Sequence, residues 1–472
     1  TSTYANYFGM PGNEYLFVGA RRFPLTINWL DEFESIGTRK GKGAGSSSAQ
    51  LPSVIVQQAK KLLASVHDPS IVVESKVTDL QIDLAFDIAR FVGRPGRTVL
   101  IFVSGMREIE EFSERFENIN KRRPRQRYVI IPIHSDIPFE DQMHAFDTVE
   151  PENEEVKVVI ATNSAESSIT LPDCDNVICL GTAKRVEYNA LRHRVQLVHR
   201  WISKAGVEQR AGRTARVRPG TVWRLYGKDF FQRMDEFDPP ELQQTPLEHV
   251  VLQLRSALST NVVPVLQNVI SPPDLRALDP AFNQLYRMGF IQSPDDDGEM
   301  TEDGKVAAAL GIDLKIAKFV LLGVRLGIPK ETVAVAAALS LDRSPFRTAS
   351  SFVHTPEEMA TIVRTVAQGM EFFAQGMGSA PMMLVRVLHW YRGLHEGSHA
   401  GYHSRKPHLS KHGLVADRVK RLDTLARGIE RKLSHYVRGL QDVYLRDLAE
   451  NPRVRTLLRL ALLWSFSDQL LV

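Results

Sequence analysis

The sequence predicts a doubly wound parallel α/β sheet followed by an all-helical region, on three observations. Short apolar, β-branched runs alternate with amphipathic helical segments between residues 98 and 226. The runs are almost continuously hydrophobic, as strands buried on both faces must be. After Pro239-Pro240 the runs stop, and helical periodicity continues almost alone.

In chain order, the predicted elements are a strand at 98–103, a helix at 106–119 with Ile109, Phe112 and Phe116 on one face, and a strand at 128–133. A helix at 139–149 and strands at 156–161, 176–180 and 221–226 follow. Ligands of such sheets collect at the carboxyl ends of strands, where Thr162-Asn163 and Gly181 fall. Downstream, three helices and a hairpin at 291–300, turning at Asp295-Asp296-Asp297-Gly298, fit a small winged-helix unit. Periodic segments at 314–326, 330–341, 357–375 and 411–436 predict a helical bundle. The Gly/Ser/Lys-rich stretch 38–50 has nothing to bury and reads as a flexible loop.

At 472 residues the chain exceeds one core, and roughly 100–200 residues per domain implies about three domains. No apolar run approaches the ~20 residues that cross a bilayer, so no membrane role is expected. A net charge of +4 favours polyanionic partners only weakly. Cys174 and Cys179, five apart without a neighbouring histidine, suit neither a disulfide framework nor a zinc site, and no other metal cluster is apparent. A reducing, intracellular compartment is the expectation, with nucleus, cytoplasm and mitochondrion equally compatible.

The stretch Gln209-Arg210-Ala211-Gly212-Arg213-Thr214-Ala215-Arg216 carries the most chemistry. Guanidinium forks match phosphate oxygens and neutralise charge developing on a transferring phosphoryl group, and a glutamine can orient an attacking water. His134-Ser135-Asp136 is not a nucleophilic triad, because three consecutive residues do not align as nucleophile, base and orienter.

With this stretch, the segment Thr162-Asn163-Ser164-Ala165-Glu166-Ser167-Ser168-Ile169-Thr170 makes the chain resemble the C-terminal portion of a DEAH-box (DEAH/RHA) RNA helicase. Residues 162–170 resemble helicase motif V, 209–216 motif VI and 98–109 motif IV, while 18–24 resemble the start of the second RecA-like domain. Pro240-Glu241-Leu242 and Met300-Thr301-Glu302-Asp303-Gly304 resemble winged-helix signatures, and the bundle resembles the ratchet domain. The resemblance implies these domains: 1–14, the tail of a first RecA-like domain; 15–238, the second; 239–309, winged-helix; 310–440, ratchet; 441–472, the start of a further unit.

It also implies site roles. Gln209, Arg213 and Arg216 would face the γ-phosphate of ATP, Gly212 would allow close backbone approach, and Phe146, closing a Gln142-x-x-x-Phe pattern, would stack on adenine. Ordinary core packing fits Phe146 equally well. Thr162, Asn163 and Ser167 would touch RNA phosphates, although such residues also cap helices. Lys184, Arg185, Arg192 and Arg194 would line a β-hairpin against RNA, and a second basic stretch, 418–431, fits a solvated face or an RNA channel alike. ATP and Mg²⁺ are the implied cofactors; RNA, a large ribonucleoprotein and a glycine-rich activator are the implied partners.

Departures from the pattern qualify this. The sequence contains no Gly-x-x-x-x-Gly-Lys-Ser/Thr, Asp-Glu-x-His or Ser-Ala-Thr, so the phosphate cradle and metal-holding carboxylate have to come from elsewhere. Cys179 stands where the family has an aspartate, Ala215 where it has a glycine, and Gly378-Ser379-Ala380-Pro381 where it has Ser-Asp-His-Leu. Two readings follow: part of an ATP-dependent RNA helicase, or a degenerate helicase-like scaffold that binds RNA in a large particle. A DNA helicase is a third, since cleft motifs alone do not read a 2′-hydroxyl.

Overall fold

The computed structural model describes residues 2–10, 23–36, 50–122, 127–137, 142–149, 152, 154–168, 171–189, 194–258, 261–349, 355–376, 378–396, 402–437 and 451–467. The chain divides into two compact units, 1–245 and 246–472. The resemblance at 18–22, the flexible-loop reading of 38–49 and Arg192 lie outside the described residues.

The first unit is built on a six-stranded sheet in which every pairing is parallel. Its strands are β1 (Leu25–Trp29), β2 (Thr98–Phe102), β3 (Arg127–Ile133), β4 (Glu155–Ala161), β5 (Cys174–Cys179) and β8 (Gly220–Arg224), in the order β1-β8-β5-β2-β4-β3. β2 is buried along its whole length, which explains its unbroken Thr-Val-Leu-Ile-Phe sequence. After β2 the chain passes outward to β3, returns through β4, and then crosses to β5 on the other side of β2. The carboxyl ends of β2, β4 and β5 therefore surround the crossover, where doubly wound sheets bind ligands.

Alternating side chains separate the two sheet faces. Leu100 and Phe102 of β2, Val159 and Ala161 of β4 and Val177 of β5 share one buried cluster with Ala145, Ala165 and Ala211. The Phe146 turn and the segments resembling motifs V and VI thus pack on one face. Helices Ser75–Val92 and Met106–Arg122 also pack on the sheet, the first against β2 and β5, the second against β3 and β4.

Two expectations here need correction. In place of a helix at 139–149, the described part is a short 3-10 turn, Met143–Phe146, followed by extended backbone at Asp147. The sheet also has an edge strand, β1, that the periodicity does not reveal, because most of its five residues are only half-buried.

In the second unit, helices Glu248–Leu258, Val262–Gln267, Leu278–Met288 and Glu302–Leu310 come first. The hairpin expected at 291–300 is reduced to a single antiparallel bridge between Ile291 and Met300. Buried Arg255 holds its turn together, donating to the Asp295, Asp296 and Gly298 carbonyls. The bundle contains Leu314–Arg325, Pro329–Leu339, Pro356–Ala374, Ala380–Glu396, Tyr402–Lys411, Ala416–Ser434 and Pro452–Ser465. The helix expected at 411–436 breaks at Gly413, whose φ of +67° only glycine adopts cheaply. The basic stretch 418–431 lies on Ala416–Ser434, where Arg418 donates to the Ser344 and Phe346 carbonyls, Arg421 pairs with Asp342 and Arg427 with Asp423. These three side chains make contacts inside the unit.

Candidate functional site

The motif VI segment begins on the helix Lys204–Ala211, capped by Ser203, whose hydroxyl accepts from the Gly206 amide at 3.1 Å. Its buried stripe, Gly206, Val207, Arg210 and Ala211, contains an arginine. The Arg210 guanidinium is wholly buried, with Nε donating to Glu166 Oε1 at 2.7 Å and Nη1 to the Thr182 carbonyl at 3.1 Å. It lies 5.0 Å from the centre of the Phe102 ring. Arg210 therefore ties motif VI to motif V, to the end of β2 and to the chain leaving β5. It is an anchor, and sequence reading missed this role. Its position on a stripe with Val207 and Ala211 was the available signal.

Beyond this anchor, Gln209 is exposed, Arg213 half-buried and Arg216 exposed. Arg213 Nε approaches the Gln209 carbonyl at 3.4 Å, and Arg216 Nε donates to the Gly212 carbonyl at 2.9 Å. Burial and the neighbouring positive charge of Arg216 lower the Arg213 pKa, with Glu166 opposing them. Arg213 thus feels the like charge of Arg216, a repulsion that a bound anion relieves. Gly212 closes the helix at φ −68°, a conformation open to any residue.

The unusual backbone is at Ala215, with φ +60° and buried. Thr214 before it donates from Oγ1 to the Cys174 carbonyl at 2.9 Å, and Gly220 packs so closely that a Cβ there would lie 2.7 Å from the Ala215 nitrogen. The turn is held at both sides, so Ala215 keeps a conformation that costs a Cβ-bearing residue about 1–2 kcal/mol. Cys179 lies opposite two donors, with its sulfur 4.0 Å from Arg210 Nη1 and 3.7 Å from the Tyr226 hydroxyl. Among the described residues Arg210 Nη2 has no hydrogen-bond partner. The thiol lies at the long limit of contact with Nη1, which also donates to the Thr182 carbonyl.

Motif V leaves β4 at Thr162. That residue is buried, its hydroxyl 2.7 Å from the Ser164 hydroxyl and its amide donating to the Ile133 carbonyl at 3.2 Å. Asn163 is exposed; Ser167 lies on the short helix Ala165–Ser168. His134, Ser135 and Asp136 form a turn after β3 in which the Asp136 amide donates to His134 Nδ1 at 3.1 Å. Phe146 is half-buried on its 3-10 turn. Gln142 fastens the start of that turn, donating to the His134 and Ile137 carbonyls at 3.0 and 2.7 Å.

The basic segment between the motifs is a two-stranded antiparallel hairpin, β6 (Thr182–Asn189) and β7 (Arg194–Trp201). It springs from Gly181, whose φ is +82° and where a Cβ would meet the Tyr226 ring at 2.5 Å. Lys184 is exposed and crosses over Gly105 at the end of β2. Arg185 pairs with Asp238 and Arg200 with Glu187, the latter through both carboxylate oxygens. Arg185 is thus partly neutralised, and Arg194 contributes backbone pairing with Asn189. His199, opposite Lys184, has its pKa lowered by burial and by that lysine, against the pull of Glu108. Among the described residues no group of three His, Cys, Asp or Glu side chains could hold a metal ion, and no helix is long and apolar enough to cross a membrane.

Residues 82–218 match the helicase conserved C-terminal domain. The chain is 34% identical over 251 residues to the DExH-box ATP-dependent RNA helicase DExH1 of Arabidopsis thaliana, covering 53% of this chain and 25% of that protein. It is 33% identical over 250 residues to the ATP-dependent RNA helicase DHX29 of Homo sapiens, covering 53% and 18%. A longer match, 29% identical over 332 residues, joins 70% of the chain to 26% of DExH3 of Arabidopsis thaliana. The matches thus span about a quarter or less of these relatives. The parallel sheet, the motif V and VI segments packed on one of its faces and these matches together make the chain similar to the C-terminal portion of DExH/DEAH-box RNA helicases.

Proposed function

We propose that this chain supplies the second half of a composite ATP site in an RNA-dependent helicase, with Arg213 and Arg216 bearing on the phosphates and Gln209 on the attacking water. The observation that carries the reading is that Arg213 feels the like charge of Arg216 beyond a fully buried anchor, Arg210. Positive charge held beside a fixed backbone anchor is what transition-state stabilisation of a phosphoryl group requires. The 472 residues contain no Walker A sequence, so the phosphate cradle and the carboxylate that holds Mg²⁺ belong to another domain. Phe146 offers its ring to the adenine. Lys184 and Asn163, exposed beside strand ends, offer donors to RNA phosphates. Residues 239–309 and 310–440 are read as winged-helix and ratchet domains.

The direct experiment is RNA-stimulated ATP hydrolysis by the chain joined to, or mixed with, a Walker A domain of the family. Turnover lost on changing Arg213 or Arg216 supports the reading. A second reading, an RNA-binding scaffold without turnover, is favoured by Cys179 opposite an incompletely satisfied Arg210 and by the strained Ala215. RNA binding without RNA-stimulated hydrolysis in the same assay supports that alternative.

A further inference from the structure

Lys157 is a lysine in the interior of a parallel sheet, on β4 and fully buried. Its ammonium has three partners: the Ala145 carbonyl at 3.1 Å, the Asp147 carbonyl at 2.6 Å and Asp173 Oδ2 at 3.0 Å. The two carbonyls flank Phe146 on either side. Asp173, itself buried, lies just before β5, and its backbone carbonyl accepts from the Thr98 amide of β2 at 3.1 Å. One ammonium thus hydrogen-bonds both peptide groups that flank the aromatic ring and ties them to the centre of the sheet, with the Asp173 carboxylate beside it as an ion-pair partner.

A buried Lys–Asp pair is a poor way to gain stability. Removing two charges from water costs several kcal/mol per ion by order of magnitude, and hydrophobic replacements of similar volume are often neutral or better. What the pair adds is direction. The 3-10 turn is short, presents only Ala145 to the buried cluster, and continues into extended backbone at Asp147. Packing alone gives it little to hold. With Gln142 fixing the start of the turn and Lys157 fixing the peptide groups around the ring, Phe146 is held at both ends.

We infer that Lys157 is a positioning residue, with Asp173 as its counter-ion, that holds Phe146 as a preorganised aromatic platform for the nucleotide base. The inference rests on the proposed role of Phe146, and it adds how the platform is kept in place. Preorganisation of this kind lowers the cost of ordering on binding.

The test compares the full chain, assembled with the Walker A domain, with its Phe146→Ala, Lys157→Met and Lys157→Met/Asp173→Leu variants. The double variant fills the space without an orphan charge and serves if the single change unfolds the unit. Amide exchange of residues 142–149 is followed together with binding of ATP and of inorganic tripolyphosphate. The expected result is at least tenfold faster exchange in 142–149 and a comparable fold loss of ATP affinity, with tripolyphosphate affinity unchanged and KM for ATP raised at constant kcat. Unchanged exchange and unchanged ATP binding in the double variant overturn the inference, as does equal loss of ATP and tripolyphosphate. If Phe146→Ala leaves ATP binding intact while the lysine variants speed exchange, the base-stacking role fails and the positioning of the turn stands.

Discussion

Arg210 and Glu166 meet at 2.7 Å, joining the helix that presents motif VI to the one that begins motif V. The arginine is wholly buried and the carboxylate nearly so. Because the arginine has given up its hydration, removing its partner leaves a charge that nothing else in the site neutralises. Breaking such a pair costs about 3–5 kcal/mol. Glu166→Ala is therefore expected to lower the unfolding free energy of the first unit by that order, read from urea titration and from exchange of amides in β2 and β5. A loss below about 1 kcal/mol would show that the pair is not what fixes the two motifs.

Ala215 holds a left-handed backbone between Thr214 and Gly220. Replacement by glycine removes the Cβ penalty of about 1–2 kcal/mol but adds chain entropy to the unfolded state, worth about 0.4–1 kcal/mol. Ala215→Gly is thus expected to stabilise the first unit by up to about 1 kcal/mol, seen as a raised thermal midpoint. A lowered midpoint would mean that the turn needs the methyl for packing.

His199 has its pKa lowered from 6.5, first by burial and then by Lys184. The folded state disfavours the protonated ring, so the unfolded state binds more protons below pH 6.5 and stability falls as the pH drops from there towards the folded pKa. Above that window the contribution is complete. His412 in the second unit is shifted the same way, by burial and Lys411. Unfolding free energy measured between pH 7.5 and 5 should fall, and His199→Gln should reduce the slope in the first unit. An unchanged slope would assign the dependence to other groups.

On the hairpin, Lys184 is exposed while Arg185 is committed to Asp238. Counterion release assigns each phosphate contact a salt slope of about 0.7 for single strands. Lys184→Ala is expected to weaken single-stranded RNA binding across sequences and to reduce the salt slope by roughly that amount. Arg185→Ala should do less. The reverse ranking, measured by anisotropy at several salt concentrations, would move the RNA contact to the other hairpin face.

Legibility in the sequence followed burial. β2 was plain because a strand covered on both faces is almost wholly apolar, β4 and β5 were plain from their apolar stretches 158–161 and 177–179, and the observed bounds of all three fall within two residues of expectation. β1, half-buried at the sheet edge, left no such trace. The expected helix around Phe146 failed because the peptide groups on both sides of that residue are held by Lys157, which is remote from the turn in sequence though adjacent in space. At the site, the buried pairings of Arg210, Glu166 and Lys157 were not legible in the sequence. A buried charge and an exposed one are the same letter, and only the partner across the sheet tells them apart.

The proposed role of Arg213 and Arg216 is to complete a phosphoryl-transfer site. The most direct measurement is the single-turnover rate of RNA-stimulated ATP hydrolysis, in the assembly with a Walker A domain, for Arg213→Ala and Arg216→Ala. An arginine finger is worth about 10³–10⁵ in rate. The account predicts a loss of at least tenfold in each variant with nucleotide-free RNA affinity unchanged, and hydrolysis at the unaltered rate in both would contradict it.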